Sequence, residues 1–407
     1  MLSKDNIESF ININGPIKLA IAGVGSMSKG LINQISHTTG IKVVSILSRS
    51  YQKAQELSNI LENDKIEIVD SIYELVNSNA QMIVDLTGDV EFGARLAEYT
   101  IKNNKHILVN TETDATVGVV LSKLAKEQGV IYTNLWGDEP SLAKSLYDYA
   151  SVLGFEIIAL GKFKNFHDCY SNPDTALPWA KKSNLTPHMV SSFNDGSRLS
   201  LEMTVLSNAT GFVPDTCGMH MPKATKLEDV TKLLKLKSDG GILNKEGVIE
   251  VVSGPEPSGA VFAIIRTQND EIVKSLNTYK LGDGPNYMLY TPYHMPSIEM
   301  VYGIFENFIL NKSIIQALEK PVSDAIAFAK RDLNPGMFLD SIGGFDYFGK
   351  IETAQKTKEL QALPLGLAEN AKVLNPIKKG DLIKTTDVEI LNHDVSLRLR
   401  KEYDKLV

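Results

Sequence analysis

The stretch that most limits what this chain can fold into is Gly23-Val24-Gly25-Ser26-Met27-Ser28-Lys29-Gly30. It lies between the apolar run Lys18-Leu19-Ala20-Ile21-Ala22 and the segment Leu31-Ile32-Asn33-Gln34-Ile35, a pattern that predicts strand, glycine turn and helix. Glycines let the backbone bend sharply and come close to a pyrophosphate. The free N–H groups at the helix start favour its negative charge. Gly23, Val24, Gly25, Ser26 and Met27 are therefore candidate dinucleotide contacts. The third position of the fingerprint is Ser28, where glycine or alanine is usual. A tight strand-to-helix turn without a ligand is the plainer alternative.

The rest of the first third supports the nucleotide reading. Strand patterns at 19–22, 43–47, 66–69, 82–85, 107–109 and 130–133 alternate with helix patterns at 29–36, 52–61, 72–77, 91–103 and 118–128. Such alternation predicts a parallel α/β sheet of Rossmann type, with ligands at the carboxyl ends of its strands. The second strand ends in Leu47-Ser48-Arg49-Ser50, without the carboxylate that would accept from the ribose hydroxyls of NAD. Ser48 and Arg49 suit a 2′-phosphate, so NADP(H) is the expected cofactor. Pairing of Arg49 with Glu56 is the alternative use of that cation. The fourth strand leads into Thr87-Gly88 and the fifth into Asn110-Thr111-Glu112. Thr87, Gly88, Asn110 and Glu112 are thus candidates for the nicotinamide side, with turn formation as the competing role.

Composition narrows the partners. The 407 residues carry a formal net charge of -7 and no basic run, which argues against a nucleic-acid partner. No apolar stretch approaches the ~20 residues of a membrane span. The N-terminus lacks the apolar core of a secretory signal. Cys169 and Cys217 are the only cysteines, which points to a reducing, cytoplasmic setting. With neither a His-x-x-x-His pattern nor clustered carboxylates, a structural metal is not expected.

Chemistry is expected after the sixth strand. A helix over 141–153 and a strand over 155–160 lead to Gly161-Lys162-Phe163-Lys164-Asn165 and then to fifty residues dense in reactive groups. Lys164, placed just beyond that strand, is the first candidate to polarise or protonate a carbonyl oxygen. Lys181 is a second, or a phosphate ligand alongside Lys182 and Arg198. Glu202 stands beside the helical stripe Leu199, Met203, Leu206 and Thr210, where it could hold a substrate hydroxyl, hold a divalent cation, or simply flank the helix. His188 and His294 are candidate hydroxyl ligands or proton relays, or packed core residues. Short strands over 248–252 and 261–266 predict a second sheet. Near the C-terminus, residues 329–340 are echoed by 371–383, each half reading as strand, proline/glycine turn and strand.

Several of these motifs carry a resemblance. Gly161–Asn165, Pro187–Gly196, Asn208–Gly211, Lys280–Pro285 and Thr291–His294 resemble the homoserine-dehydrogenase-like oxidoreductases that carry a C-terminal SAF domain. This family includes reductoisomerase-like enzymes that convert 1-deoxy-D-xylulose 5-phosphate to 2-C-methyl-D-erythritol 4-phosphate with NADPH. The resemblance implies a Rossmann domain (1–153), a central α+β substrate and oligomerisation domain (154–320) and a small β-rich SAF-like, β-clip domain (321–407). It also implies a homo-oligomer and a small-molecule substrate. A weakly held Mg²⁺ or Mn²⁺ assisting a hydroxy-ketone stays open. The expected activity is reduction of a small polyhydroxylated carbonyl compound, with a phosphosugar as the sharper expectation. A homoserine-type dehydrogenase and a non-catalytic NADP-binding sensor or scaffold are the alternatives.

Overall fold

The computed structural model describes residues 2–61, 65–183, 185–254, 257–279, 281 and 284–407. The Gly254–Gly259 loop and the Lys280–Pro285 motif fall partly outside the described residues, at Pro255, Glu256, Lys280, Gly282 and Asp283. The first elements in order are α1 (Lys4–Asn14), β1 (Ile17–Ala22), α2 (Ser26–Ser36), β2 (Ile41–Leu47), α3 (Tyr51–Ser58), β3 (Glu67–Val69), α4 (Ile72–Asn77), β4 (Met82–Asp85), α5 (Val90–Lys102), β5 (His106–Val109), α6 (Thr111–Gln128) and β6 (Tyr132–Asn134). They continue with α7 (Glu139–Val152), β7 (Glu156–Lys164), α8 (Pro173–Ser183), α9 (Pro187–Asn194), α10 (Ser197–Thr210), β8 (Val213–Pro214), α11 (Leu227–Leu233), β9 (Val248–Ser253), β10 (Val261–Arg266) and α12 (Asp270–Thr278). The last are β11 (Asn286–Thr291), α13 (Pro296–Leu310), β12 (Ser323–Ala329), β13 (Tyr347–Thr353), α14 (Ala354–Leu360), β14 (Lys372–Val373), β15 (Val388–Glu389) and α15 (Asp394–Leu406). No helix among the described residues is long and apolar enough to cross a membrane.

The chain forms two compact units. The first comprises Met1–Ser141, Met295–Glu319 and Asp394–Arg400; the second comprises Leu142–His294, Lys320–His393 and Lys401–Val407. The first unit holds a six-stranded sheet in the order β3-β2-β1-β4-β5-β6, every pairing parallel. Its central strands are apolar on both faces, as parallel strands covered by helices must be: Leu19, Ile21, Met82 and Val84 are fully buried. α13 packs on α2 in this unit. A Cβ added at Gly30 would lie 2.4 Å from the Ser297 hydroxyl, so the glycine sets how closely the two helices approach.

The second unit holds a five-stranded sheet, β11-β10-β7-β9-β8. It is mixed: β10 runs antiparallel to β7 and β11, while β9 runs parallel to β7 and β8. One face carries Leu160, Ile249, Val251 and Ala263 against Leu199, Met203 and Leu206 of α10. The other carries Phe163, Val252, Phe262 and Ile264 against Val230 and Leu234 around α11. The sheet expected to pack subunits together thus has both faces covered from within the chain. Gly161 tolerates no side chain, because a Cβ there would stand 1.6 Å from the Glu250 carbonyl oxygen.

Several expected elements are corrected. The helix read from residue 118 begins at Thr111, because Asn110 caps it by accepting from the Thr113 N–H at 2.8 Å. Its first turns are rich in Thr and Val, which hide the helical signal. β7 does not stop at residue 160 but runs to Lys164. A short helix spans Leu227–Leu233. In the C-terminal repeat, the halves do not each form a strand pair. They meet one another through single bridges, Leu333 with Ile377 and Phe338 with Lys372.

Within the second unit one buried ion pair ties the later sequence to the α9–α10 turn. Lys330 Nζ lies 2.7 Å from Asp195 Oδ2 and donates to the Gly344 carbonyl at 2.6 Å, with both side chains almost fully buried. Burial pushes the Asp195 carboxyl up, against the Lys330 ammonium, which pulls it down. Lys330→Met would strand a buried carboxylate, and is expected to cost about 3–5 kcal/mol. Chemical denaturation of this variant, compared with the Asp195→Asn/Lys330→Met double variant, checks this: the double change is expected to recover part of the loss.

Candidate active site

The carboxyl end of the first unit's sheet starts at Gly23, which has φ +100°. Its N–H donates to the Leu47 carbonyl at 3.0 Å, and a Cβ there would lie 3.0 Å from the Leu86 oxygen. Gly25 then caps α2 without a side-chain hydrogen bond, and a Cβ on it would meet open space. Val24 and Met27 lean on the core, Ser26 is exposed and Ser28 is fully buried under the turn. A glycine-shaped approach to an uncapped helix start is the fit a pyrophosphate needs. At the end of β2, Ser48 is buried and accepts from the Ser50 N–H at 3.0 Å, while Arg49 is exposed. Among the described residues no ion pair holds Arg49, and Glu56 accepts from Gln52.

The ends of β4 and β5 close around a residue that had no role in the sequence reading, Asp85. Its Oδ1 accepts from the Thr87 hydroxyl at 2.6 Å and the Thr87 N–H at 3.0 Å. Its Oδ2 accepts from Asn110 Nδ2 at 2.6 Å. Thr87, Gly88, Asn110 and Glu112 are therefore brought together, but Thr87 and Asn110 spend their side chains on Asp85. Gly88, at φ +72°, faces Glu112, whose Oε1 lies 4.0 Å from where a Cβ on the glycine would sit. Burial raises the Asp85 carboxyl to about 6, outweighing its hydrogen bonds, and the Glu112 charge adds to the rise. A second carboxyl, Asp114, accepts from Tyr132 and Asn134 at 2.8 and 2.9 Å, and burial raises it to about 6 as well.

In the second unit the polar core lies between β7 and α10. Lys162 Nζ donates to Glu202 Oε2 at 2.8 Å, and Arg198 Nε donates to Glu202 Oε1 at 3.2 Å. Lys162 and Glu202 are both buried. Glu202 is thus no flanking charge, and its lysine is Lys162, not Lys164. Lys162 was overlooked because the strand seemed to end before it; a lysine between the buried Leu160 and Phe163 was the available signal. Lys164 is the last strand residue, half-buried, and donates to the Phe193 carbonyl at 2.6 Å. Lys181 is exposed in the last turn of α8, and His188 is exposed in the first turn of α9. His294 packs against Gly259, where a Cβ would lie 2.5 Å from its ring. Glu202 thus meets neither Lys164 nor Lys181, and among the described residues no hydrogen bond or ion pair joins it to His188 or His294.

Two family models match the chain in succession. Residues 17–134 match the N-terminus of dihydrodipicolinate reductase, and residues 137–300 match the catalytic domain of oxidoreductase DRL. No curated protein sequence is significantly similar to this chain. Among solved structures, the chain is similar to scyllo-inositol dehydrogenase from Lactobacillus casei with bound NAD(H) and scyllo-inositol, at 11% identity and TM-score 0.44, covering 74% of this chain and 92% of that one. It is similar to KijD10, a 3-ketoreductase from Actinomadura kijaniata in complex with NADP, at 11% identity and TM-score 0.40, covering 73% and 91%. A shorter match, to the probable oxidoreductase yhhX, has 18% identity and TM-score 0.30, and spans 38% of this chain and 45% of that one. The family models and the parallel sheet with its glycine turn define an NAD(P)-dependent oxidoreductase.

The Asp85 and Asp114 carboxyls give stability a pH dependence. A carboxyl raised from 3.8 to about 6 in the fold contributes stability that is fully present below its unfolded value and is lost as pH rises through about 6. Each accounts for up to ~3 kcal/mol. Denaturation midpoints between pH 4 and 7 are expected to fall with rising pH (on the order of that window), with a shallower slope in Asp85→Asn.

Proposed function

We propose that the chain reduces a small polyhydroxylated carbonyl compound with NADPH, and that a phosphosugar is the substrate class. Conversion of 1-deoxy-D-xylulose 5-phosphate in the manner of the reductoisomerase-like enzymes is the sharpest form of this reading. The observation that carries it is the buried Lys162–Glu202–Arg198 cluster. When bound, the reduced nicotinamide supplies a hydride. The oxygen of the carbonyl that accepts it needs a proton and a positive charge. Lys162 supplies both: its ammonium is held in place by Glu202, whose second oxygen is held by Arg198 one helical turn away. The exposed Arg49, held by no ion pair among the described residues, and the neighbouring Ser48 support NADPH over NADH, because a guanidinium offers paired donors to a 2′-phosphate.

The same cluster weighs against a homoserine-type substrate. A substrate ammonium needs an available carboxylate, whereas Glu202 already has a cation on each oxygen and Asp195 is engaged by Lys330. A sensor or scaffold would gain nothing from burying Lys162, at the desolvation cost such burial carries. In this reading residues 321–407 are the SAF-like part, with no chemistry of their own. A homo-oligomer belongs to the same reading.

Oxidation of NADPH in the presence of 1-deoxy-D-xylulose 5-phosphate, other sugar phosphates and free sugars, with and without Mg²⁺ or Mn²⁺, tests it. Homoserine with NADP serves as the reverse-direction control. Turnover of a sugar phosphate is expected, with kcat reduced roughly 10²–10⁴-fold in Lys162→Met. Turnover of homoserine alone, or full activity in Lys162→Met, would overturn the reading. Arg49→Glu is expected to raise the KM for NADPH about 10–100-fold, with little effect on NADH.

A further inference from the structure

A second polar group in the second unit has no part in the Lys162 cluster. Strand β8 pairs with Val248 and Ile249 of β9, and the chain returns to that strand only at Lys223, which bridges Ser253. Between them the loop Asp215–Pro222 stands out from the sheet edge, opposite Glu250, Val251 and Val252. Glu250 fills the gap. Its buried carboxylate accepts from the backbone N–H groups of His220 and Met221, both at 3.0 Å, and of Val251 at 2.9 Å. Burial pushes this carboxyl up, against the pull of those N–H groups. Met219 and Met221, on either side of His220, have φ +69° and +51°. Such values are uncommon for residues with long side chains and persist only where the surroundings over-determine them. Here Glu250 holds the backbone, and both methionine side chains join the apolar core that Leu160, Leu199 and Met203 form over one face of the sheet.

What this loop presents is the His220 ring. Its Nε2 lies 2.7 Å from Asp215 Oδ2, an oxygen that also accepts from the Asn244 N–H at 2.8 Å and from Asn244 Nδ2 at 3.0 Å. The Asp215 side chain has almost no solvent access. Burial pushes its carboxyl up, but the bonds from Asn244 and His220 outweigh this and hold it below its ordinary value. An ionised carboxylate only accepts, so Nε2 carries the proton and Nδ1 of the neutral ring keeps its lone pair. Among the described residues no group bonds to Nδ1, and the side chain is 21% exposed. A buried carboxylate that fixes one imidazole nitrogen and leaves the other open is the geometry of a proton acceptor held ready. The loop is tied to β7 beside Lys162: Glu250 stands opposite Gly161, and Leu160 lies on the Lys162 face of the strand.

We propose that His220, oriented by Asp215, is the base for a rearrangement of the substrate that precedes its reduction. This rests on the reductoisomerase-like reading above. A straight hydroxy-ketone and a branched polyol differ in carbon skeleton, which hydride addition alone does not change. The skeleton changes when the hydroxyl next to the carbonyl gives its proton to Nδ1. Its C–O bond becomes C=O, and the bond from that carbon to its far neighbour moves to the former carbonyl carbon. The oxygen there, left as an alkoxide, takes the proton back from the imidazolium. The step is an isomerisation and consumes no other reactant. Asp215 stays ionised and steadies the imidazolium. The new aldehyde then takes the hydride, with its proton from Lys162.

Two substrates separate the steps. 1-Deoxy-D-xylulose 5-phosphate needs rearrangement and reduction; the aldehyde that corresponds to 2-C-methyl-D-erythritol 4-phosphate needs reduction alone. NADPH oxidation is followed with each, in the full chain. His220→Gln is expected to lower kcat for the ketose roughly 10²–10⁴-fold and for the aldehyde by no more than a few-fold. Asp215→Asn is expected to act in the same direction, whereas Lys162→Met lowers both rates. Added imidazole is expected to restore part of the ketose rate in His220→Ala, which a purely structural histidine would not allow. NADPH affinity and the unfolding midpoint show that the variants are folded. If the wild-type protein turns over the ketose, an undiminished ketose rate in His220→Gln, or an equal loss on both substrates without imidazole rescue, would overturn the role of His220 and leave the proposed function standing. Reduction of the aldehyde without turnover of the ketose by the wild-type protein would overturn the rearrangement and the reductoisomerase form together, and leave the reducing role of Lys162. Turnover of neither substrate would overturn both.

Discussion

A buried carboxylate is the constraint on which the carboxyl end of the first sheet depends. Asp85 terminates β4 with no solvent access, and three hydrogen bonds from Thr87 and Asn110 converge on it. Each bond organises a different loop: Thr87 shapes the turn into α5, and Asn110 is at once the cap of α6. Gly93 completes the arrangement, since a Cβ there would enter within 3 Å of Asp85, Asn110 and Thr113. The loops at the carboxyl end of this sheet are therefore held by one another. The desolvation this demands shows in the raised Asp85 carboxyl. A site that holds its shape before the ligand arrives spends less binding energy on ordering loops.

The second unit uses buried charge differently. Lys162–Glu202 and Lys330–Asp195 are both paired ions away from water, and such pairs contribute little net stability compared with well-packed apolar residues. Their effect is to fix register. Glu202 locks α10 to β7 across the sheet face, while Lys330 locks the segment after β12 to the turn in front of α10. Helix α10 is thus gripped at its start and its middle, and it is almost wholly buried. One pair lies in the part of the chain that matches an oxidoreductase catalytic domain. The other reaches beyond it, to a segment the family model does not cover.

Legibility in the sequence followed physical strength of signal. The six parallel strands were readable almost to the residue because central parallel strands are continuous apolar runs bounded by glycine and polar turns. Helices that break the usual grammar were not. α8 and α9 contain Pro173, Pro178 and Pro187, so that stretch reads as loop, although Pro187 opens α9 and Thr186 caps it. α15, with Arg398, Arg400, Lys401 and Asp404 among few apolar residues, carries too little hydrophobic pattern to announce itself. Of the candidate site, the glycine turn and the residues after β4 and β5 were visible by position. Asp85 and Lys162 were not singled out, because a charge inside an apolar strand looks like its boundary until the fold shows a partner across the sheet.

Lys162 and Lys164 stand two residues apart on β7, either side of Phe163, and so share one face of the strand by its periodicity. What separates them is depth. Lys162 lies on the strand where Gly161 and Glu250 bring two backbones into contact, and its ammonium meets a carboxylate; Lys164 lies at the strand's last residue, half-exposed, and donates to the Phe193 carbonyl. A proton donor benefits from the first environment, where a fixed carboxylate keeps the ammonium charged and oriented.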